Sequence, residues 1–481
     1  MLNAEEAYVP PFPPRSVEWL STFAIIKNAR KNLLSIWAEP DFEKEVLMTK
    51  VLGRTVFVAN NPKMVQQVFV KFNPSFECKS KLMRRAIKPV IGNGLFISDG
   101  AIWQSRRKIV GKAIHGSRVP GLIPAIVEVV SDLRTSWLKQ LEQSPNNVAQ
   151  INMLSEMTKL TAEIIARSIF GCDLGKENAQ KIADGFSHYQ SNIGAFNLLA
   201  LFGLPHFMTY LSSRGIRRPA KQVTSVIEDL IHSYFNENKA AFAVDVCLAK
   251  NDARKPFLEF LRIKKQNSDK LDWQAIRDEA AVIFMAGHET TANCLAWAFF
   301  LLSQAPKVAK KLYQEIDSVL GQRLPIHADI GKLVYTRAII EETLRLYPPI
   351  PILSRQVKKA ESIGRYNIPK GALLLVVPWL LHRHKLFWEK PDFFIPERFL
   401  PNSPAIDQYL YIPFSVGPRV CAGMNFGLTE AILCLATLSQ ALQFKLVPNT
   451  TIQAVSHLAL RPDDGNGRLP LIMQKREKGN V

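Results

Sequence analysis

The stretch FSVGPRVCAG, Phe414 to Gly423, decides how this chain is read. It places a single cysteine, Cys421, in a loop dense with glycine, proline and arginine. No cysteine or histidine nearby offers a disulfide partner or a second metal ligand. A thiol binds metal strongly only as thiolate, and positive charge and backbone N–H donors lower its pKa. Arg419 stands two residues before Cys421. Gly417 and Gly423 permit tight turns that aim N–H groups at the sulfur. A helix is predicted from about Ala422 to Leu442, and its N-terminal end favours negative charge. A lone cysteine is more often a buried, inert thiol; the loop around this one leaves a metal-ligating thiolate open as the second reading.

The rest of the composition limits the alternatives. The chain has 481 residues, 47% hydrophobic and 21% charged, an ordinary globular balance. By length alone two or three domains are expected. No linker divides the sequence, so a single domain over 1–481, without a fused reductase, is the reading. The formal charge is +19, which suits an acidic partner or anionic lipid. The positive residues are scattered. The densest run, residues 79–85, lacks interleaved aromatics, and nucleic acid is set aside. Cys78, Cys172, Cys247, Cys294, Cys421 and Cys434 are dispersed without a CxxC pair, which points to a reducing compartment. The start, MLNAEEAYVPPFPPR, lacks the features of a signal or transit peptide. The apolar stretch Trp19 to Ile26 is broken by Glu18 and Lys27 and is far short of the roughly 20 residues of a membrane span. The expectation is a cytoplasmic protein with no transmembrane anchor.

Periodicity predicts a mainly α fold with a small β part drawn from both ends. Residues 45–59 read as two strands around Gly53-Arg54. From about Pro62 to Pro348 apolar residues recur at helical spacing. The longest helix is predicted from an N-cap at Asp272 to about Ser303, roughly 45 Å long at about 1.5 Å per residue. Another runs from about Lys332 to Leu346 and stops before Pro348-Pro349. IGRYNIPKGALLLVVP reads as two strands joined by a turn at Pro369-Lys370-Gly371. SHLALRP and LPLIMQKR read as closing strands.

Phe414, Gly417, Arg419, Cys421 and Gly423 match the ligand loop of the haem-thiolate monooxygenases, and the chain resembles the cytochrome P-450 family of soluble bacterial type. AGHETT, Ala286 to Thr291, is similar to that family's oxygen-site pattern in the middle of the long helix. Glu342-Thr343-Leu344-Arg345 resembles its ExxR pair, with Arg398 in PERF as the third member. Trp103 and Arg107 match its WxxxR element.

The resemblance implies heme b held by the Cys421 thiolate, which favours O–O cleavage. It implies room for O2 at Gly287 and a proton path through Thr290 and Glu289. A buried cluster of Glu342, Arg345 and Arg398 is expected to lock the cysteine loop. Trp103, Arg107, Arg355 and Arg419 are expected at the propionates, with Arg106 and Lys108 competing with Arg107 for that place. Phe414 and Gly423 complete the cofactor set. Phe96, Phe284, Ala286, Ile350, Ile352 and Leu458 are the expected substrate contacts, all apolar.

The implied reaction inserts one atom of O2 into a C–H bond of a lipophilic molecule such as a fatty acid or terpenoid. Electrons would come from a separate ferredoxin or flavodoxin with its reductase, and NAD(P)H would act only through them. Two rivals are a haem-thiolate peroxygenase or isomerase, and a non-catalytic haem-binding protein. The intact Glu289-Thr290 pair argues against both.

Overall fold

The computed structural model describes residues 8–51, 53–185, 188–189, 214–237 and 273–477. Helices of the N-terminal half are α1 (Thr22–Lys31), α2 (Lys81–Ile91), α3 (Gly100–Ala113), α4 (Val119–Gln143), α5 (Met153–Ile165) and α6 (Arg214–Glu237). Those of the C-terminal half are α7 (Trp273–Gln304), α8 (Pro306–Leu320), α9 (Val334–Leu346) and α10 (Met424–Ser439). The expectation of a mainly α fold with small sheets holds.

Helix α7 is apolar on all sides. Such a helix must be enclosed by others, and from Ala275 to Leu302 nearly every side chain is buried. Helices α5, α9 and α10 pack against it. Its predicted cap, Asp272, lies outside the described residues. Helix α9 stops at Leu346, before Pro348-Pro349, as the backbone restriction before proline requires. The one stretch among the described residues long and apolar enough to cross a membrane, Gly100–Gln143, is interrupted by a 3-10 turn at Gly116–Arg118.

Strands β1 (Val46–Val51) and β2 (Arg54–Ala59) form the expected antiparallel pair, in register from Val46↔Ala59 to Val51↔Arg54. The short β3 (Val148–Asn152) was not expected within the helical half. β4 (Leu353–Gln356), β5 (Glu361–Ile363), β6 (Tyr366–Ile368) and β7 (Leu373–Val376) follow α9. The chain closes with β8 (Leu442–Leu446), β9 (Gln453–Ser456), β10 (Leu460–Asp463) and β11 (Pro470–Lys475). The main sheet runs β1-β2-β7-β4, and β3-β11-β8 form a second. The main sheet therefore joins the N-terminal strands to those after α9, and the second joins β3 of the helical half to the C-terminal strands.

One strand expectation holds and one changes. The two strands joined by the turn at 369–371 are present as β6 and β7, but they enter different sheets: β6 pairs with β5, while β7 lies between β2 and β4. The turn at residues 369–371 is thus a crossing between sheets. SHLALRP is not one strand. It spans the end of β9, a turn and the start of β10, which pair with each other.

Candidate active site

The loop 414–423 faces α7 across a cavity. Its closure is local: the Cys421 N–H donates to the Phe414 carbonyl at 2.8 Å. Ser415 and Gly417 both adopt positive φ, 61° and 76°, a conformation that favours glycine. A side chain at Gly417 would also overlap the Phe69 carbonyl in the π turn Gln67–Lys71. The Cys421 sulfur opens onto the cavity. Enclosure pushes its thiol pKa up, while the Gly423 N–H and the Arg107 guanidinium draw it down. Sequence reasoning had assigned that cation to Arg419. Arg419 instead donates to Ser98 O at 2.8 Å and Asp99 Oδ1 at 2.9 Å, and its guanidinium lies 4.5 Å over the Trp103 ring.

Opposite the sulfur stands the middle of α7. Ala286, Gly287, Glu289 and Thr290 line the cavity. The Thr290 hydroxyl donates back to the Ala286 carbonyl at 2.8 Å, so only its lone pairs remain for a partner in the cavity. Gly287 has a packing reason besides openness. A Cβ there would overlap Ile165 Cδ1 of α5. Thr161 of α5, which sequence reasoning missed, donates to the His288 carbonyl at 2.8 Å. His288 is buried with Nδ1 at 2.9 Å from Phe284 O, and burial lowers its pKa to about 4. Glu289 is buried.

Four cations reach the cavity wall: Lys79, Arg107, Arg355 and Arg419. Among the described residues only Arg419 has a carboxylate partner, Asp99. Arg355 is 3% exposed. Burial, with Arg419 nearby, brings its pKa down to about 9. Lys79, absent from the sequence expectations, is buried with its ammonium 4.5 Å from the Phe96 ring centroid. Burial holds its pKa well below the usual lysine range. Arg106 and Lys108 do not compete for the cavity: Arg106 pairs with Glu279 at 2.7 Å, and Lys108 is exposed. Buried cations without carboxylates are costly, and the set asks for an anionic guest.

On α10, Glu430 is fully buried beside Thr291, and burial pushes its carboxyl well above the usual range. Sequence reasoning missed it because the predicted helix gave no sign of its partner.

The expected apolar contacts divide. Phe96, Ala286, Ile350 and Leu458 line the cavity. Phe284 and Ile352 do not. Phe284 is fully buried on the opposite side of α7, 5.9 Å from Phe170 and 5.3 Å from His288 between ring centroids. Helical spacing explains this: Phe284 lies two residues before Ala286, about 200° around the helix. Ile352 packs into the core before β4.

Glu342, Arg345 and Arg398 do meet. Arg345 Nε donates to Glu342 Oε2 at 2.6 Å, and Arg398 Nε approaches Glu342 Oε1 at 3.5 Å. The cluster does not touch the cysteine loop. Arg345 donates to the carbonyls of His382, Pro391 and Phe393, and Glu342 accepts the Ile395 N–H. The reach toward the loop is through His382, whose Nε2 accepts the Ile412 N–H at 2.9 Å. Burial and Arg345 take the His382 pKa to about 3, so the ring is neutral.

Among the described residues no three His, Cys, Asp or Glu side chains gather to hold a bare metal ion. One sulfur, a Gly423 whose added Cβ would meet open space, and cations without carboxylates fit a flat anionic group that brings its own metal and equatorial ligands. Haem is such a group.

Comparison with known proteins agrees. The family model for cytochrome P450 matches residues 10–466. Cyclooctatin synthase of Streptomyces melanosporofaciens is 29% identical over 415 residues, 85% of this chain and 84% of that protein. Cytochrome P450 4V2 of Mus musculus is 28% identical over 414 residues, 83% and 78% of the two chains. Carotene epsilon-monooxygenase of Arabidopsis thaliana is 27% identical over 426 residues, 86% and 77%. The matched residues include the sulfur, the facing helix and the cations between them, and the chain belongs to the cytochrome P450 family of monooxygenases.

Proposed function

We propose that the chain inserts one atom of O2 into a C–H bond of a lipophilic small molecule. The observation that carries this is the Cys421 thiol facing the Ala286–Thr290 stretch across a cavity rimmed by four cations, of which only Arg419 has a carboxylate partner among the described residues. Cys421 is the residue to bind the haem iron, and Trp103, Arg107, Arg355, Arg419 and Lys79 are the residues to hold the propionates. The bound haem supplies the oxygen and electron chemistry.

The chain's own residues supply placement and protons. Phe96, Ala286, Ile350 and Leu458 give the substrate an apolar wall. The Thr290 hydroxyl accepts a hydrogen bond there while its proton rests on the Ala286 carbonyl. To donate, it releases that carbonyl, and Glu289 beside it restores the proton.

The apolar wall favours a terpenoid or fatty-acid-like substrate. A relative named for carotene is consistent with this. Electrons are proposed to come from a separate acidic ferredoxin or flavodoxin with its reductase and NAD(P)H, in the cytoplasm. The charge of +19 supports steering of such a partner. The reading takes residues 1–481 as one haem domain.

The test has two parts. A panel of lipophiles is screened for the ferric spin-state shift. Those that shift it are then incubated with ferredoxin, reductase and NADPH, or with peroxide alone. Oxygenated product from the reductase system is expected. Product from peroxide only would replace the proposal with the peroxygenase reading.

A further inference from the structure

Glu279 lies on the same stripe of α7 as Ile283, Ala286 and Thr290, at helical spacing, but one end further from the sulfur. It is 1% exposed. Its Oε2 accepts the Leu95 N–H at 3.1 Å, and its Oε1 accepts from Arg106 of α3 at 2.7 Å. The same Arg106 nitrogen donates to the Asn93 carbonyl at 2.6 Å. The neighbouring Asp278, 2% exposed, accepts the Asn93 N–H at 2.7 Å. Three backbone groups of a segment three residues long are thus bound to side chains of α7 and α3.

The glycines of the segment show how closely it lies on α7. A Cβ at Gly92 would overlap the Asp278 carboxylate. One at Gly94 would overlap Val282 and fall 2.8 Å from the Asp278 carbonyl. The residues that follow, Leu95 and Phe96, form part of the cavity wall. Any slackening of the bond at the Leu95 N–H therefore moves two apolar side chains that face the guest.

We propose that Glu279, with Arg106, is a positioning residue that latches residues 93–96 to α7 and so sets the size of ligand that the cavity accepts. The acid is held against opposition. Burial and Asp278 raise its pKa to about 7, against the pull of Arg106 and the Leu95 N–H. A surface carboxylate with the same partners would be idle; a buried one is retained at a cost that its bonds must offset.

This rests on the haem-thiolate reading of the cavity, and the experiment separates the two. Haem-loaded wild type and Glu279→Gln are titrated with imidazole, which binds iron without filling the cavity, and with 1-phenylimidazole, whose ring reaches the apolar wall. Glu279→Gln is expected to bind phenylimidazole about tenfold more weakly, the loss of roughly one charge-assisted hydrogen bond, with imidazole affinity unchanged. Equal weakening of both probes, or of neither, overturns the latch. Hydrogen exchange reads it without haem. The Leu95 amide should exchange faster in Glu279→Gln while α3 and α7 keep their protection, and unchanged exchange also overturns it. If Glu279→Gln fails to fold, Glu279→Asp, which keeps the charge but shortens the reach, is held to the same outcomes. Absence of any imidazole binding in wild type would instead count against the haem site itself.

Discussion

Arg345 lies one turn after Glu342 on α9, and its guanidinium grips both carboxylate oxygens at 2.6 and 2.8 Å with neither side chain exposed. Three backbone carbonyls take the remaining donors, so all five N–H groups are used. Lysine has three donors and no planar fork. Arg345→Lys should destabilise the protein by about 3–5 kcal/mol, because buried acceptors lose their partner. Urea unfolding of the two proteins measures the difference.

Cys421→His should exchange one strong ligand for another while leaving the cations in place. The reduced, carbon monoxide-bound protein is expected to shift its main absorption band from the thiolate position to that of an imidazole-ligated pigment. An unmoved band would show that another residue holds the iron.

Arg355→Met should have opposite effects on the haem-free and haem-loaded protein. Removing a buried cation that no carboxylate balances relieves a desolvation cost. The melting temperature without haem should rise. Haem retention should fall about tenfold, since one charged donor to the propionates is gone. Heat denaturation and transfer of haem to apomyoglobin read the two effects.

Gly287→Ala should cost about 1–3 kcal/mol through overlap with Ile165. Ile165→Val in the same chain should recover most of it, because the overlapping atom is the Ile165 δ-methyl. If the double variant is as unstable as the single one, the demand for glycine comes from the cavity side of α7.

Glu430 predicts a pH dependence. Its native pKa lies well above the ordinary 4.5. Folded and unfolded chains are both protonated below that ordinary value, where this residue's contribution is fully present. As pH rises, only the unfolded chain ionises freely, and stability falls toward the raised native pKa. Glu430→Gln stays neutral throughout. Its advantage over wild type in thermal melts should be absent near pH 4 and grow toward pH 8.

The parts of the site written as local spacing were legible in the sequence. The loop around Cys421, the Glu342–Arg345 pair and the α7 stretch each carry their chemistry within ten residues. What escaped depends on contacts between distant segments. Lys79 reads as one more basic residue until folding buries it over Phe96. Arg107 rather than Arg419 acts on the sulfur, because Asp99 captures Arg419. Phe284 was misplaced although the helix was recognised, because the side of the helix that faces the cavity was not counted out in steps of 100°. The β6–β7 turn was legible, but the partners of the two strands, β5 for one and β2 and β4 for the other, were not.

The fit of Gly417 against the Phe69 carbonyl bears on how the protein is made. The thiolate ligand is synthesised late, while the backbone it leans on leaves the ribosome early. Nascent polypeptide that has not yet reached Gly417 lacks one of the two surfaces. The first segment must then wait for the last, and a product terminated before Gly417 lacks both the thiolate ligand and the surface that covers the Phe69 carbonyl.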